Sequence, residues 1–159
     1  MSAATAMPAA EAAGADEERV FVTLMLADQL CGIPVLAVRD VLAARNITRI
    51  PLAPAEIAGS LNLRGRIVTA IDLRRRLGLP PPPEAASRMA VVTEQGGELY
   101  ALLVDQVSEV LSLAARDFEH NPPTLPMLWA SHSAGIYRLP GRLMVVLDVG
   151  RILALTAAQ

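Results

Sequence analysis

Part of this chain is written twice, and that repetition constrains its fold more than any other feature. Gly59-Ser60-Leu61-Asn62-Leu63-Arg64-Gly65-Arg66, then five apolar or small residues, then Asp72-Leu73-Arg74-Arg75-Arg76-Leu77, return 76 positions later. The second version is Gly135-Ile136-Tyr137-Arg138-Leu139-Pro140-Gly141-Arg142, five apolar residues, then Asp148-Val149-Gly150-Arg151-Ile152-Leu153. Ahead of this pair, Gly32-Ile33-Pro34-Val35-Leu36-Ala37-Val38-Arg39-Asp40-Val41-Leu42 aligns at an offset of 69 with Ala101-Leu102-Leu103-Val104-Asp105-Gln106-Val107-Ser108-Glu109-Val110-Leu111. Each unit therefore has a front and a back part. The unequal offsets place extra residues between the parts of the second copy, and Asn121-Pro122-Pro123-Thr124-Leu125-Pro126 reads as the surface loop that holds most of them. Shared positions report the common fold. Divergent ones, above all Asn62-Leu63-Arg64 against Arg138-Leu139-Pro140, point to function.

Each unit reads as about five short strands with little helix. Residues 20–26 and 30–35, separated by Asp28-Gln29, form one β-hairpin; residues 89–93 and 99–104 form its counterpart around Gly96-Gly97, whose glycines allow the positive φ of a tight reversal. Strands follow at 38–42 and 107–111, then strand, Gly-containing reversal, strand and a short helix begun by Asp72 or Asp148. An aspartate at such a junction accepts hydrogen bonds from unpaired helix N–H groups. Pro51 can start a further helical turn in residues 51–57. So little helix cannot cover both faces of an open sheet, and curling into small barrels hides the strand edges. The expected fold is all-β, with two pseudo-symmetric five-stranded barrels side by side. One domain spans 19–155, with lobe one at 19–79, a Pro-rich junction at 80–86 and lobe two at 87–155. Residues 1–18 read as a disordered arm.

Hydrophobic residues make up 53% of the 159-residue chain, enough for a packed core. No apolar run approaches the roughly 20 residues of a spanning helix, and the N-terminal stretch lacks signal-peptide character, so a cytoplasmic protein is expected. The single cysteine, Cys31, lies between Leu30 and Gly32 on an expected strand and reads as a small buried hydrophobe. All 14 cations are arginines.

The chain resembles the CheW-like domain of bacterial chemotaxis coupling proteins. The residues that carry the resemblance are Gly32-Ile33, Val38, Asp40-Val41, Ile47, Ile50-Pro51, Pro54, Ile57, Gly59, Asn62, Arg64-Gly65, Ile67-Val68 and Ile71-Asp72-Leu73-Arg74, followed by Val104-Asp105, Val107 and Glu109-Val110-Leu111. It extends over about residues 20–154. Asp40 replaces the family's commoner Glu, Thr69 replaces its usual Pro, and residues 121–132 follow no family pattern. The resemblance implies two Src-homology-3-like barrels. It also implies a non-enzymatic adaptor, without cofactor, between chemoreceptor tips and a CheA-type histidine kinase, associated with membrane receptor arrays only through its partners.

Arg64 is the leading candidate for recognition. Its guanidinium carries five fixed donors and stays charged, which suits an exposed group meeting acidic or amide groups on a partner helix. The resemblance places the residue matching Arg64 at the receptor-binding groove, with Val38 and Asp40 nearby; Asn62 is carried as their weaker companion in the receptor-binding set, with bracing of the turn as its alternative role. It assigns no kinase-contact residues. An enzyme reading could draw only on Asp72 and Asp148, one from each copy, in the manner of a shared-proton dyad. Neither lies in an Asp-Thr-Gly or Asp-Ser-Gly turn, and helix capping accounts for both. The alternative class is a small-barrel nucleic-acid-binding protein, suggested by Arg49, Arg64, Arg66, Arg74, Arg75 and Arg76. Against it stand a net charge of −2 and few aromatic residues for stacking. His120 and His132 lack metal-ligand spacing.

Overall fold

The computed structural model of the chain describes residues 17–83 and 87–157. The expected N-terminal arm lies outside them except for its last two residues, of which Glu18 already opens the first strand; residues 84–86 of the junction also lie outside. The order of elements is β1 (Glu18–Leu26), β2 (Gln29–Pro34), β3 (Val38–Ala43), β4 (Ile57–Leu63), β5 (Arg66–Asp72), α1 (Leu73–Leu77), β6 (Met89–Gln95), β7 (Glu98–Val104), β8 (Gln106–Ala114), α2 (Met127–Ala130), β9 (Ser133–Leu139), β10 (Arg142–Leu147) and α3 (Val149–Ala157). Five strands per copy and a short helix after each back hairpin agree with the sequence reading. Residues 51–56 form turns rather than a helix and Ile57 already opens β4, while α2 lies in the region that follows no family pattern.

The strands make two five-stranded sheets, ordered β8-β1-β2-β10-β9 and β3-β6-β7-β5-β4. This corrects the division into lobes at 19–79 and 87–155. The front hairpin of the first copy, β1–β2, sits in the first sheet between β8 and β10 of the second copy, and β6–β7 sits in the second sheet between β3 and β5 of the first. The copies have exchanged hairpins reciprocally. A repeat shows which strands correspond; it does not show which copy each strand pairs with.

The ladders do not close into full barrels. Each sheet curls until one isolated bridge joins its far side, Thr48 to Ser60 on β4 and Glu119 to Ile136 on β9. These bridges explain the first shared glycine of the repeat. A Cβ on Gly59 would fall on the Thr48 carbonyl, and one on Gly135 would lie 2.6 Å from the Glu119 carbonyl oxygen. Both pairs exchange backbone hydrogen bonds, Thr48 with Ser60 at 2.8 Å and Glu119 with Ile136 at 2.9 Å, so the approach is part of the fold.

The largest apolar cluster lies between the sheets: Leu24, Leu26, Cys31 and Ile33 of β1–β2 meet Ile71, Val91, Leu102 and Val104 of the second sheet, with Leu73 and Leu77 of α1 and Ile152 and Leu153 of α3. Burial accounts for Cys31 as the sequence suggested and pushes its thiol pKa up. Smaller clusters fill each sheet's concave side, around Leu61, Val68, Val92 and Leu103 in one and Phe21, Tyr137 and Met144 in the other. Both aspartates cap as expected. Asp72 accepts the Arg75 N–H at 3.3 Å, and Asp148 accepts the Arg151 N–H at 3.1 Å.

Candidate functional site

The register of β4 and β5 pairs Leu63 with Arg66, so Arg64-Gly65 is a two-residue turn. Its φ values, 52° at Arg64 and 84° at Gly65, are those of a type I′ turn, which matches the twist of the flanking strands. Glycine adopts this conformation freely, but arginine in the left-handed region is strained by roughly 1 kcal/mol. Asn62 offsets part of that strain, because its Oδ1 accepts the Gly65 N–H at 2.9 Å. Of the two roles the sequence left open for Asn62, this hydrogen bond supplies the bracing one.

At the matching point of the second copy Leu139 pairs with Arg142, leaving Pro140-Gly141 as the turn. The proline ring holds φ near −65° and Gly141 has φ 79°, which makes a type II turn. Only the first copy projects a charged side chain here.

Curling of the second sheet brings this turn to β3, the strand at the opposite end of its order. Arg64 Nη2 lies 3.1 Å from Asp40 Oδ2, with the arginine side chain 78% exposed and the aspartate 24%. Asp40 is held from behind by the Val41 N–H, 2.8 Å from its other oxygen. The pair spans the mouth of the curled sheet, over a depression of about 180 Å³ lined by Arg39, Asp40, Leu63, Arg64, Val92 and Leu99 among others. An exposed pair of this kind contributes little stability, at most about 1 kcal/mol. Its effect is to orient a guanidinium that still has most of its donors free for another molecule.

Three of the four sequence candidates, Arg64, Asp40 and Asn62, thus gather at one end of the second sheet. Val38 lies apart from them. Alternation alone would put Val38 and Asp40 on the same face, but a bulge at Arg39 intervenes, so Val38 stands opposite Thr93 and Asp40 opposite Val92. Val38 consequently packs against the cluster between the sheets. The same row continues through Tyr100 and Thr69 to Ser60, the face on which Asn62 and Ile67 also pair. Ile67 was not singled out from sequence because it sits in an apolar run, yet it is 70% exposed.

A second feature joins two residues of the family pattern. Asp105 stands where the chain passes from β7 of one sheet to β8 of the other, and Arg74 of α1 grips it with two hydrogen bonds, Nε to Oδ1 at 2.8 Å and Nη2 to Oδ2 at 2.7 Å. The same carboxylate accepts the Ala27 N–H at 2.7 Å from the β1–β2 turn, and Arg74 also donates to the Pro80 carbonyl. Burial alone would raise the Asp105 pKa, but the bonds from Arg74 and Ala27 and the nearby positive charges hold it below the ordinary carboxylate value. The repeat itself signals this pair. Offsets of 76 and 69 match Arg74 with Gly150 and Asp105 with Leu36, so both partners are absent together from the positions that correspond to them in the repeat.

Comparison with known proteins agrees with this architecture. Chemotaxis protein CheW of Klebsiella aerogenes is 30% identical over 142 residues, 89% of this chain and 86% of that protein. The Rhizobium meliloti protein of the same name is 26% identical over 134 residues, 84% of this chain and 86% of its own length. The crystal structure of the scaffolding protein TtCheW from Thermoanaerobacter tengcongensis superposes with a TM-score of 0.74 at 29% identity, covering 81% of this chain and 88% of that one. The CheW-like domain matches residues 20–157, nearly all of the described structure, and the chain belongs to the CheW family of chemotaxis scaffolding proteins.

Proposed function

We propose that this protein is a non-enzymatic, cytoplasmic adaptor that couples the cytoplasmic tip of a chemoreceptor to a CheA-type histidine kinase, and that Arg64 is the centre of its receptor contact. The observation that carries the reading is the turn at Arg64-Gly65. A strained arginine is held clear of the surface by Asn62 and aimed by Asp40, while the twin turn carries proline. Strain kept at an exposed position is accounted for by recognition better than by stability. The adjoining face of Asn62, Ile67, Thr69 and Tyr100, with Val38 at its edge, offers polar groups around an exposed isoleucine, which suits the side of a helical hairpin. Several weak contacts of this kind become effective when receptor and kinase are held together at high local concentration.

The nucleic-acid alternative is weakened by where its arginines go. Of the six, Arg64 pairs with Asp40, Arg74 with Asp105, and Arg76 donates to the Ile152 and Arg151 carbonyls at 2.9 and 3.0 Å. Replacement of Arg64 by Glu is expected to abolish binding of a receptor-tip fragment in calorimetry, with the melting temperature within about 2 °C of the parent because the pair is exposed. Undiminished binding by this variant overturns the site assignment.

A further inference from the structure

The two copies place the same structural mouth at the end of each sheet, but only one is roofed. In the second sheet the mouth is the depression of about 180 Å³ beneath Arg64 and Asp40. The repeat offsets carry Asp40 to Glu109, Leu63 to Leu139, Arg64 to Pro140 and Arg66 to Arg142. Four of the residues so reached, Glu109, Leu139, Pro140 and Arg142, line an open cavity of about 430 Å³ at the end of the first sheet. Register supports the match, because Val22 pairs with Val110 as Val91 does with Val41, and Leu24 with Val107 as Thr93 does with Val38.

The difference lies in what covers the two mouths. In the second sheet the Asp40 carboxylate has a cation supplied by its own chain. In the first, Glu109 is exposed and makes no ion pair among the described residues, because proline occupies the arginine's place. Arg142 borders the same cavity, but its guanidinium donates to Met25 Sδ at 3.4 Å, and the matching Arg66 coexists with Arg64 in the roofed twin. Beneath Glu109 the floor is apolar: Leu30, Leu111, Leu113 and Leu139.

We propose that this mouth binds, in trans, an arginine-bearing β-turn of a partner protein, whose guanidinium pairs with Glu109 while its apolar flanks cover Leu111, Leu113 and Leu139. The roofed twin indicates the chemistry of the occupant, since a Leu-Arg-Gly-Arg turn over a carboxylate is what this fold uses to close the other mouth. A partner supplies the turn rather than a second copy, because Leu63, the apolar flank of the chain's own arginine turn, is packed against the cluster of its own sheet and cannot cover another mouth while it stays there. The site shares no residue with the Arg64 surface and stands independently of the receptor reading.

The test uses the isotope-labelled full chain and a cyclised hairpin peptide with the sequence of residues 58–71, which frees the arginine turn from Asp40. Saturable NMR shifts are expected along residues 108–113 and 139–142. They should be lost with a peptide carrying Gln at the turn arginine, and reduced at least several-fold in Glu109→Gln. Pro140→Arg should restore a roof in cis, paired with Glu109, and exclude the peptide while the protein stays folded. Shifts confined to other surfaces, or peptide binding unaffected by Pro140→Arg, overturn the proposal. Concentration-dependent shifts at the same residues without peptide, removed by Glu109→Gln, overturn the heterologous partner in favour of a second copy.

Discussion

Removal of Arg74 tests whether the two sheets are fastened by a charge at their crossover. The Arg74 and Asp105 side chains are only 11% and 21% exposed, and the carboxylate is met by two guanidinium hydrogen bonds and one backbone N–H. Deleting one partner of a fully buried pair costs about 3–5 kcal/mol; residual water contact here lowers the expected loss for Arg74→Ala to about 2–3 kcal/mol. For a domain of this size that loss lowers the melting temperature by about 5–10 °C. The effect has a pH signature. The Asp105 pKa is depressed in the folded protein, so its contribution to stability is fully present above the unfolded carboxylate value, near 4, and is lost as pH falls through the lower folded value. In Arg74→Ala the isolated carboxylate is relieved by protonation, so the stability gap between parent and variant should narrow in acid. Urea unfolding at a series of pH values between about 3 and 7 measures the gap, and the double variant with Asp105→Asn should cost less than the two single losses combined. A gap under 0.5 kcal/mol at neutral pH, or one of constant size across that series, refutes the argument.

Other consequences concern the repeat and its divergence. Gly59→Ala and Gly135→Ala each push a methyl group into the bridge that joins the ends of a sheet, and each should destabilise by about 2–4 kcal/mol in chemical denaturation, whereas Gly141→Ala, with open space around it, should lose only about 1 kcal/mol from its positive φ. Arg64→Gly relieves the left-handed arginine and should raise stability by about 0.5–1 kcal/mol while removing receptor-tip binding, so that calorimetry and thermal melting move in opposite senses. A fragment of residues 19–79 carries β1 to β5 but lacks the strands that flank β1–β2 and β3 in the two sheets; its far-ultraviolet circular dichroism should be that of an unfolded chain, and the full chain should melt in one transition.

Much of the local structure was legible because each piece has a local cause. Gly96-Gly97 marks a hairpin, Asp72 and Asp148 mark helix starts, and all of these hold. The second copy acted as an independent reading of the first, which is why five strands per unit could be placed with few aromatic or periodic cues. Pairing was not legible. Exchange of β1–β2 for β6–β7 preserves every local signal, since corresponding hairpins carry the same alternation and end in the same environment. At the site, the turn itself was legible from Gly65 and from the contrast with Pro140, while the choice of Arg64, Asp40, Val38 and Asn62 as recognition residues rested on the family pattern. The bulge that turns Val38 toward the core has one sequence mark, the successive polar residues Arg39-Asp40 that break a strand's alternation, but that mark does not say toward which face Val38 turns. Ile67 fails for the same reason, as an apolar run does not report which of its members lies beyond the reach of the other sheet.

The reciprocal exchange gives the divergence of the two turns its significance. With each sheet assembled from both copies and the main cluster lying between them, neither copy has a core of its own, and the shared residues away from the turn tips are held in place by the needs of the whole. The glycines at the bridges and the aspartates at the helix starts are therefore fixed twice. Turn tips escape this constraint: they project from the ends of the sheets, and the two copies close their reversals with different geometries, type I′ at Arg64-Gly65 and type II at Pro140-Gly141. The tips are thus where a duplicated fold can change at least cost to packing. One tip has taken an arginine that pairs with Asp40 and closes its own mouth; the other has taken a proline that leaves Glu109 and an apolar floor uncovered. A symmetric framework thereby presents two chemically different ends, which is what a protein needs if it is to hold two unlike partners at once.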